Sequence, residues 1–170
     1  MGYDPSRHHR HSIRLSGYRY DTDGVYCVTL CVLQRQMLFG KMSGGLMLLN
    51  EAGRLVQSEW LALPSRFLKV YLEDFVIMPN HLHGLIVLSS EARLETSPPV
   101  PELGDVVGAF KSLSTRAVSS HLGEGARRIW QRNYYEQIVR SDSMLNGLRQ
   151  YIADNPGHWQ DDPENCPSIV

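Results

Sequence analysis

Hydrophobic residues along the chain fall into short blocks whose spacing predicts a mixed α and β fold. Four blocks rich in apolar, β-branched or aromatic residues are typical of strands, at residues 25–32, 67–77, 82–88 and 129–139. The second and third blocks meet at Met78-Pro79-Asn80, a turn sequence that predicts an antiparallel hairpin. We therefore expect a sheet of four strands.

Three further segments carry apolar residues at helical spacing, at 50–63, 105–121 and 143–154. Asn50 is suited to cap the first helix, and Pro64 is expected to end it. Ser141 or Asp142 can cap the third, which Pro156 is expected to terminate. The order strand, helix, strand, strand, helix, strand, helix predicts an α+β fold: a ferredoxin-like antiparallel sheet of the split βαβ type, with helices on one face and an added C-terminal helix.

Composition places this fold in one soluble domain. The chain has 170 residues with 42% hydrophobic residues, ordinary values for a globular protein. Residues 1–20 form a basic N-terminal arm, and residues 157–170 form an acidic tail. No run is long enough to cross a membrane and no signal peptide precedes the fold, so we expect a cytoplasmic protein.

Charge changes this picture only locally. The formal net charge of −1 gives no general argument for a nucleic-acid partner. The arm and the segment 126–140 are nevertheless each rich in arginine. These two basic stretches suit a phosphate-binding face, although solvated surface has the same composition.

His81 and His83 lie in the predicted hairpin, separated by Leu82. Side chains on one face of a strand repeat every ~6.6 Å, so both imidazoles are expected on the same face. Two neighbouring imidazoles can bind one divalent metal ion. A histidine pair on a half-buried strand without a metal gives the same pattern, and the spacing leaves both interpretations open.

Tyr151 and Asn155 lie one turn apart on the third predicted helix, beside an apolar stripe formed by Leu145, Leu148 and Ile152. A tyrosine at the boundary of the core and an asparagine near the helix end, neither with a catalytic role, would give the same sequence pattern. Combined with the histidine pair, the two side chains can form a metal-assisted nucleophilic site. The tyrosine would attack a phosphodiester, and the asparagine would supply a third, neutral ligand. The resulting phosphotyrosine conserves the bond energy and permits strand transfer.

Four sequence blocks extend this interpretation. They are Met-Pro-Asn-His-Leu-His-Gly at 78–84, Gly-Ala-Phe-Lys-Ser at 108–112, Trp-Gln-Arg-Asn-Tyr-Tyr-Glu at 130–136 and Tyr-Ile-Ala-Asp-Asn-Pro at 151–156. In this order they resemble the REP-associated tyrosine transposases, bacterial members of the single-tyrosine HUH endonuclease superfamily related to insertion-sequence transposases. The resemblance covers nearly the whole chain. The four blocks together, in this order, are a specific signal of the family, whereas the His-x-His motif alone is a weak one.

The resemblance implies cleavage of single-stranded DNA near small hairpins, with Mg²⁺ or Mn²⁺ at the site and a covalent 5′-phosphotyrosine intermediate. It matches Tyr151 to the nucleophile, His81 and His83 to the histidine pair, and Asn155 to the polar third ligand. The added helix would thus carry the nucleophile. The adjacent tyrosines at 134 and 135 match the strand before that helix, which implies a structural or DNA-lining role.

The implied partner is single-stranded or hairpin DNA, with a homodimer as an open possibility and no membrane partner. The DNA-binding candidates are Arg7, Arg10, Arg14, Lys111 and Arg132. The leading hypothesis is a metal-dependent single-stranded DNA endonuclease and strand transferase, a transposase. The alternative is a non-catalytic regulator that binds DNA hairpins and descends from a transposase.

A structural zinc protein is the third hypothesis. The three cysteines, Cys27, Cys31 and Cys166, do not form a zinc-ligand cluster, and no complete four-ligand signature is present. Cys27 and Cys31 lie in the first predicted strand and are expected in the core. The sequence therefore disfavours the zinc hypothesis.

Overall fold

The computed structural model describes residues 23–90, 99–123 and 128–165. Its strands are β1 (Gly24–Cys31), β2 (Gly40–Ser43), β3 (Leu46–Leu49), β4 (Val70–Ile77), β5 (His81–Leu88) and β6 (Tyr135–Val139). Its α-helices are α1 (Glu51–Leu61), α2 (Leu63–Arg66), α3 (Leu103–Leu122) and α4 (Asp142–Asp154). A 3₁₀ turn, Leu33–Arg35, follows β1, and a C-terminal 3₁₀ helix, Asn155–Asp161, continues from α4.

Four of the strands form one antiparallel sheet in the order β4-β5-β1-β6. The hairpin predicted at Met78-Pro79-Asn80 joins β4 to β5, and the helices α1 and α3 provide the two crossovers. This arrangement confirms the predicted α+β, ferredoxin-like antiparallel sheet. The central strands are β1 and β5, so β5 is hydrogen-bonded to a neighbouring strand along both of its edges.

The main core lies between one face of this sheet and the helices α1 and α3. Trp60 of α1 is fully buried, with its ring 5.2 Å from that of Phe110 on α3 and 6.1 Å from that of Phe75 on β4. The Trp60 ring lies against the sheet at Gly84, where an added Cβ atom would collide with the ring. The absence of a side chain at this position therefore lets α1 approach β5 closely.

A smaller apolar cluster lies on the opposite face, under α4. Ile152 packs there with Cys27 and Leu85, and Leu145 and Leu148 border the cluster. The stripe predicted on this helix therefore faces the sheet. Both cysteines of β1 are buried, as expected, and Cys166 lies outside the described residues.

Two predicted caps are present. The Asn50 side chain accepts a hydrogen bond of 2.9 Å from the Gly53 amide, and the Ser141 hydroxyl accepts one of 3.2 Å from Met144. Helix α1 ends before Pro64 and α4 ends at Asp154, before Pro156, as expected, but each proline also begins a further helical segment. Pro64 lies in the first turn of α2 and Pro156 in the first turn of the C-terminal 3₁₀ helix. A first-turn proline loses no helical hydrogen bond, so the chain stays helical beyond each predicted end.

Other features also differ from the sequence prediction, including the start of β4 at Val70 rather than at residue 67. The strand predicted at 129–139 is paired continuously only from Tyr135, with an isolated bridge between Trp130 and Val32 before it. Helix α3 begins at Leu103 rather than at residue 105. The hairpin of β2 and β3 was not predicted as strands, since each has only four residues around a glycine turn. No helix in the described ranges is long and apolar enough to span a membrane.

Candidate active site

His81 and His83 lie at the start of β5, on the face of the sheet that α4 covers. His81 is fully buried and His83 is 5% exposed. Their ring centroids are 4.5 Å apart, and the residues opposite them on β1 are Cys31 and Thr29. The alternation of a strand thus brings the two imidazoles together on one face, as their spacing predicts.

Asn80 fixes the orientation of the His81 ring. The Asn80 amide nitrogen donates to the carbonyl oxygens of Arg35 (3.3 Å) and Glu164 (2.7 Å). Its side-chain oxygen is therefore left to accept from His81 Nδ1, 2.9 Å away. The hydrogen on Nδ1 leaves Nε2 as the nitrogen with a lone pair, and this nitrogen faces the site.

His83 is held between a hydroxyl and a phenol. Its Nδ1 lies 2.7 Å from Thr29 Oγ1 and its Nε2 lies 3.4 Å from the hydroxyl of Tyr151. The second distance is long for a hydrogen bond, so this contact is weak. A metal ion on Nε2 would take the same lone pair and release the tyrosine hydroxyl.

Asp162 is the site residue that sequence reasoning missed. Its side chain is 3% exposed, and its Oδ2 lies 3.7 Å from His81 Nε2. His81, His83 and Asp162 each offer one ligand atom, and these three atoms lie within 4.8 Å of one another. Two ligand atoms on opposite sides of one metal ion are ~4–5 Å apart, so the spacing suits a single ion. No motif marks this aspartate, which lies in the acidic tail.

Tertiary contacts hold the segment that carries Asp162. A guanidinium nitrogen of Arg35 lies 3.2 Å from the Glu164 carboxylate, and another donates to the Pro163 carbonyl at 2.8 Å. The thiol of Cys31 donates to Glu164 at 3.3 Å, and the ring of Trp159 lies 6.0 Å from that of His81. Residues 157–165 of the tail therefore fold over the buried side of the histidine pair.

Asn155, the predicted third ligand, is 4% exposed at the junction of α4 and the C-terminal 3₁₀ helix. Its Oδ1, His81 Nε2 and Asp162 Oδ2 are all buried, and among the described residues none of these atoms has a hydrogen-bond partner. Buried polar atoms are normally satisfied, and these three are all electron-pair donors. A divalent cation is the type of group that would satisfy His81 Nε2 and Asp162 Oδ2 together, so these side chains fit a metal ion.

Burial also sets the protonation state of the two histidines. It lowers the pKa of His81 to about 2, with smaller contributions from His83 and Arg35. It lowers the pKa of His83 to about 4, against an opposing effect of Asp162. Both imidazoles are therefore neutral at neutral pH, the form that binds metals.

Tyr151 extends from α4 at the open side of the pair and is 47% exposed. Its pKa is raised, first by partial burial and then by the negative charge of Asp162 and by Cys27, while Asn155 opposes the shift. The phenol is thus protonated at neutral pH and needs positive charge nearby to act as a nucleophile. Helix α4 is held in place by Arg149, which donates to Glu73 of β4 at 2.7 and 3.0 Å.

The structure describes two of the five predicted DNA-binding residues, Lys111 and Arg132. Lys111 donates to the carbonyl oxygens of Gln131 and Asn133, and burial lowers its pKa to about 8. Arg132 is exposed, while Arg7, Arg10 and Arg14 lie outside the described residues. A DNA-binding role for all five stays a prediction.

Solved structures with a similar fold include two transposase structures. The structure of a REP-associated tyrosine transposase bound to a REP hairpin matches with a TM-score of 0.58 and 16% identity, covering 88% of this chain and 81% of that one. A crystal structure of a protein from Deinococcus radiodurans R1, provisionally named a transposase, matches with a TM-score of 0.50 and 18% identity, covering 83% and 95%. At these identities the likeness shows the fold alone.

The sequence itself matches no family model. It is 34% identical over 175 residues to an uncharacterized protein of Haemophilus influenzae, which covers 94% of this chain and 95% of that protein. At this identity over nearly the full length of both proteins, the chain belongs to the same family as the Haemophilus influenzae protein.

Proposed function

We propose that this protein is a transposase-like enzyme: a metal-dependent single-stranded DNA endonuclease and strand transferase that acts near DNA hairpins through a 5′-phosphotyrosine. One observation carries the proposal. The half-exposed Tyr151 hydroxyl lies 3.4 Å from His83, beside a buried cluster of His81, His83 and Asp162 that fits a metal ion. The fold of a transposase bound to a DNA hairpin supports hairpin DNA as the partner.

In this proposal His81, His83, Asp162 and Asn155 hold Mg²⁺ or Mn²⁺. The carboxylate and amide oxygens suit these hard cations, and the neutral imidazoles add two nitrogen ligands. When bound, the cation supplies positive charge that polarises a phosphate oxygen and favours ionisation of the nearby phenol. Asn80 and Thr29 orient the two imidazoles through their Nδ1 atoms.

Tyr151 is the nucleophile. Its oxygen forms a bond to phosphorus while the bond from phosphorus to the 3′ oxygen of the preceding nucleotide breaks. The phenol proton passes to water, which reaches the half-exposed side chain, and the departing 3′ oxygen takes up a proton. Attack by a 3′ hydroxyl on the phosphotyrosine reverses these changes and joins a new strand.

The decisive experiment is a denaturing gel with a labelled panel of hairpin DNAs that carry single-stranded flanks. With Mn²⁺ the wild type should form a covalent protein–DNA band that a chelator prevents. Tyr151→Phe should abolish this band and retain DNA binding, and Tyr135→Phe serves as the matched control because it removes a second exposed hydroxyl nearby. Full cleavage by Tyr151→Phe would contradict the assignment.

The histidines are tested in the same gel. His81→Ala or His83→Ala should remove the metal-stimulated band because each change deletes a ligand. Unchanged cleavage by either variant without added metal would exclude the proposed metal role.

The alternative is a hairpin-binding regulator that does not cleave. Binding of a hairpin by the wild type with Mn²⁺ and no covalent band would support this alternative. In either case Arg7, Arg10, Arg14, Lys111 and Arg132 are proposed DNA contacts, and a homodimer is the proposed assembly.

A further inference from the structure

An open cleft of about 550 Å³ begins at the candidate active site and runs to the edge of the sheet. His83 and Tyr151 line one end, and Thr29, Cys27 and Tyr135 continue it toward β6. Its volume falls in the range of roughly 300–1,000 Å³ that small-molecule sites occupy. The cleft is therefore large enough for a nucleotide that is continuous with a phosphate at Tyr151.

Strand register explains why these residues share the cleft. Thr29 of β1 pairs with His83 on one side and with Tyr135 on the other. Residues directly opposite each other in adjacent strands project from the same face. His83, Thr29 and Tyr135 thus form a row across the sheet, from the metal-binding pair to the edge strand.

The lining suits an uncharged base better than a phosphate. No lysine or arginine in the described part of the chain lines the cleft. Cys27 and Leu148 supply apolar surface, and Gln137 supplies an amide that can donate and accept hydrogen bonds. A nucleobase has this combination of an apolar face and a polar edge.

Tyr135 provides the aromatic surface. Its side chain is 57% exposed on the edge strand β6, although a tyrosine ring is largely apolar. Within the described residues its ring stacks on no other aromatic side chain. Exposed aromatic rings beside a strand path are the platforms on which single-stranded nucleic acids stack their bases.

We propose that this cleft binds the base next to the scissile phosphate, with the base stacked on Tyr135 and its edge facing Gln137. The inference rests on the proposed function, because it takes the phosphate position from Tyr151. Tyr135 would then be a base-stacking residue of the DNA site. The phosphate itself would be bound through the cation that the metal-binding side chains hold.

The test measures binding of fluorescent oligothymidylate by anisotropy, with Mn²⁺ and with Tyr151→Phe as the parent protein so that no cleavage occurs. A second oligonucleotide of the same length carries abasic sites in place of the bases. The parent should prefer oligothymidylate about tenfold, and Tyr135→Ala should lose this preference, as base stacking on one aromatic ring predicts. Tyr135→Phe should keep the preference because it keeps the ring.

Tyr71→Ala is the matched control, since Tyr71 is a 48% exposed tyrosine on the opposite edge strand β4. It should bind like the parent. The inference is overturned if the parent does not bind oligothymidylate, or if Tyr135→Ala still prefers bases over abasic sites. Loss of preference in Tyr135→Ala, together with no covalent band from the wild type on any hairpin, would support the cleft and contradict the proposed cleavage.

Discussion

Asp162 Oδ2 lies 3.7 Å from His81 Nε2, and neither atom has a hydrogen-bond partner in the part of the chain that the structure describes. A carboxylate oxygen facing an imidazole lone pair is unfavourable unless a cation lies between or beside them. We therefore predict that Asp162→Asn weakens Mn²⁺ binding at least tenfold, as the loss of metal-site partners commonly does. Isothermal titration calorimetry of the protein with Mn²⁺ measures this change.

Asp161 offers a matched control for this substitution. It is the preceding residue, also an aspartate, and it is exposed. Asp161→Asn removes the same charge from the same segment without touching the cluster. Equal Mn²⁺ affinity of the two variants would show that Asp162 only packs against His81.

Thr29 is predicted to position His83 for metal binding. Its hydroxyl lies 2.7 Å from Nδ1, the ring nitrogen that points away from the cluster. Thr29→Val keeps the shape of the side chain and removes this contact, so Mn²⁺ affinity should fall about tenfold to a hundredfold. Thr29→Ser keeps the hydroxyl and should bind nearly as the wild type does. If Val and Ser variants bind Mn²⁺ alike, the hydroxyl has no orienting role.

Local sequence signals were sufficient for much of the site. The alternation of a strand places His81 and His83 on one face, and the spacing of a helix places Tyr151 and Asn155 one turn apart. These relationships depend only on neighbours within a single element. The sheet brings them together because β5 is a central strand, which the order of predicted elements indicated.

Asp162 could not be predicted in this way. It follows a 3₁₀ helix in a segment without periodic apolar residues, and its place depends on distant contacts such as the bond from Asn80 to the Glu164 carbonyl. The two prolines marked the ends of α1 and α4 correctly but gave no sign of the helical segments that follow. Pro64 and Pro156 signal the end of an α-helix, but the same residue is favourable in the first turn of the next one.

Gly84 is predicted to be intolerant of alanine. A Cβ atom there would overlap the ring of Trp60 and also approach Phe75. Because the Trp60 ring is fully buried, the overlap cannot relax without moving α1 away from β5. Gly84→Ala should lower the free energy of unfolding by about 1–3 kcal/mol, the usual effect of overpacking a core. Urea denaturation followed by circular dichroism gives this value.

Gly147 provides the opposite case within α4, since a Cβ atom there would meet nothing within 4 Å. Gly147→Ala should raise the free energy of unfolding by about 0.5–1 kcal/mol because alanine loses less backbone entropy in a helix. If Gly84→Ala and Gly147→Ala change the free energy of unfolding alike, contact with Trp60 is not the reason that residue 84 must be a glycine.

Ser114 is predicted to stabilise the core through Trp130. The buried indole nitrogen of Trp130 donates to Ser114 Oγ at 2.9 Å, and this hydroxyl donates to the Phe110 carbonyl at 2.7 Å. Ser114→Ala leaves the indole N–H without this acceptor and should lower the free energy of unfolding by about 1–3 kcal/mol. Ser112→Ala, at an exposed position of the same helix, should change it by less than about 0.5 kcal/mol. Equal urea midpoints for the two variants would contradict the role of this buried hydrogen bond.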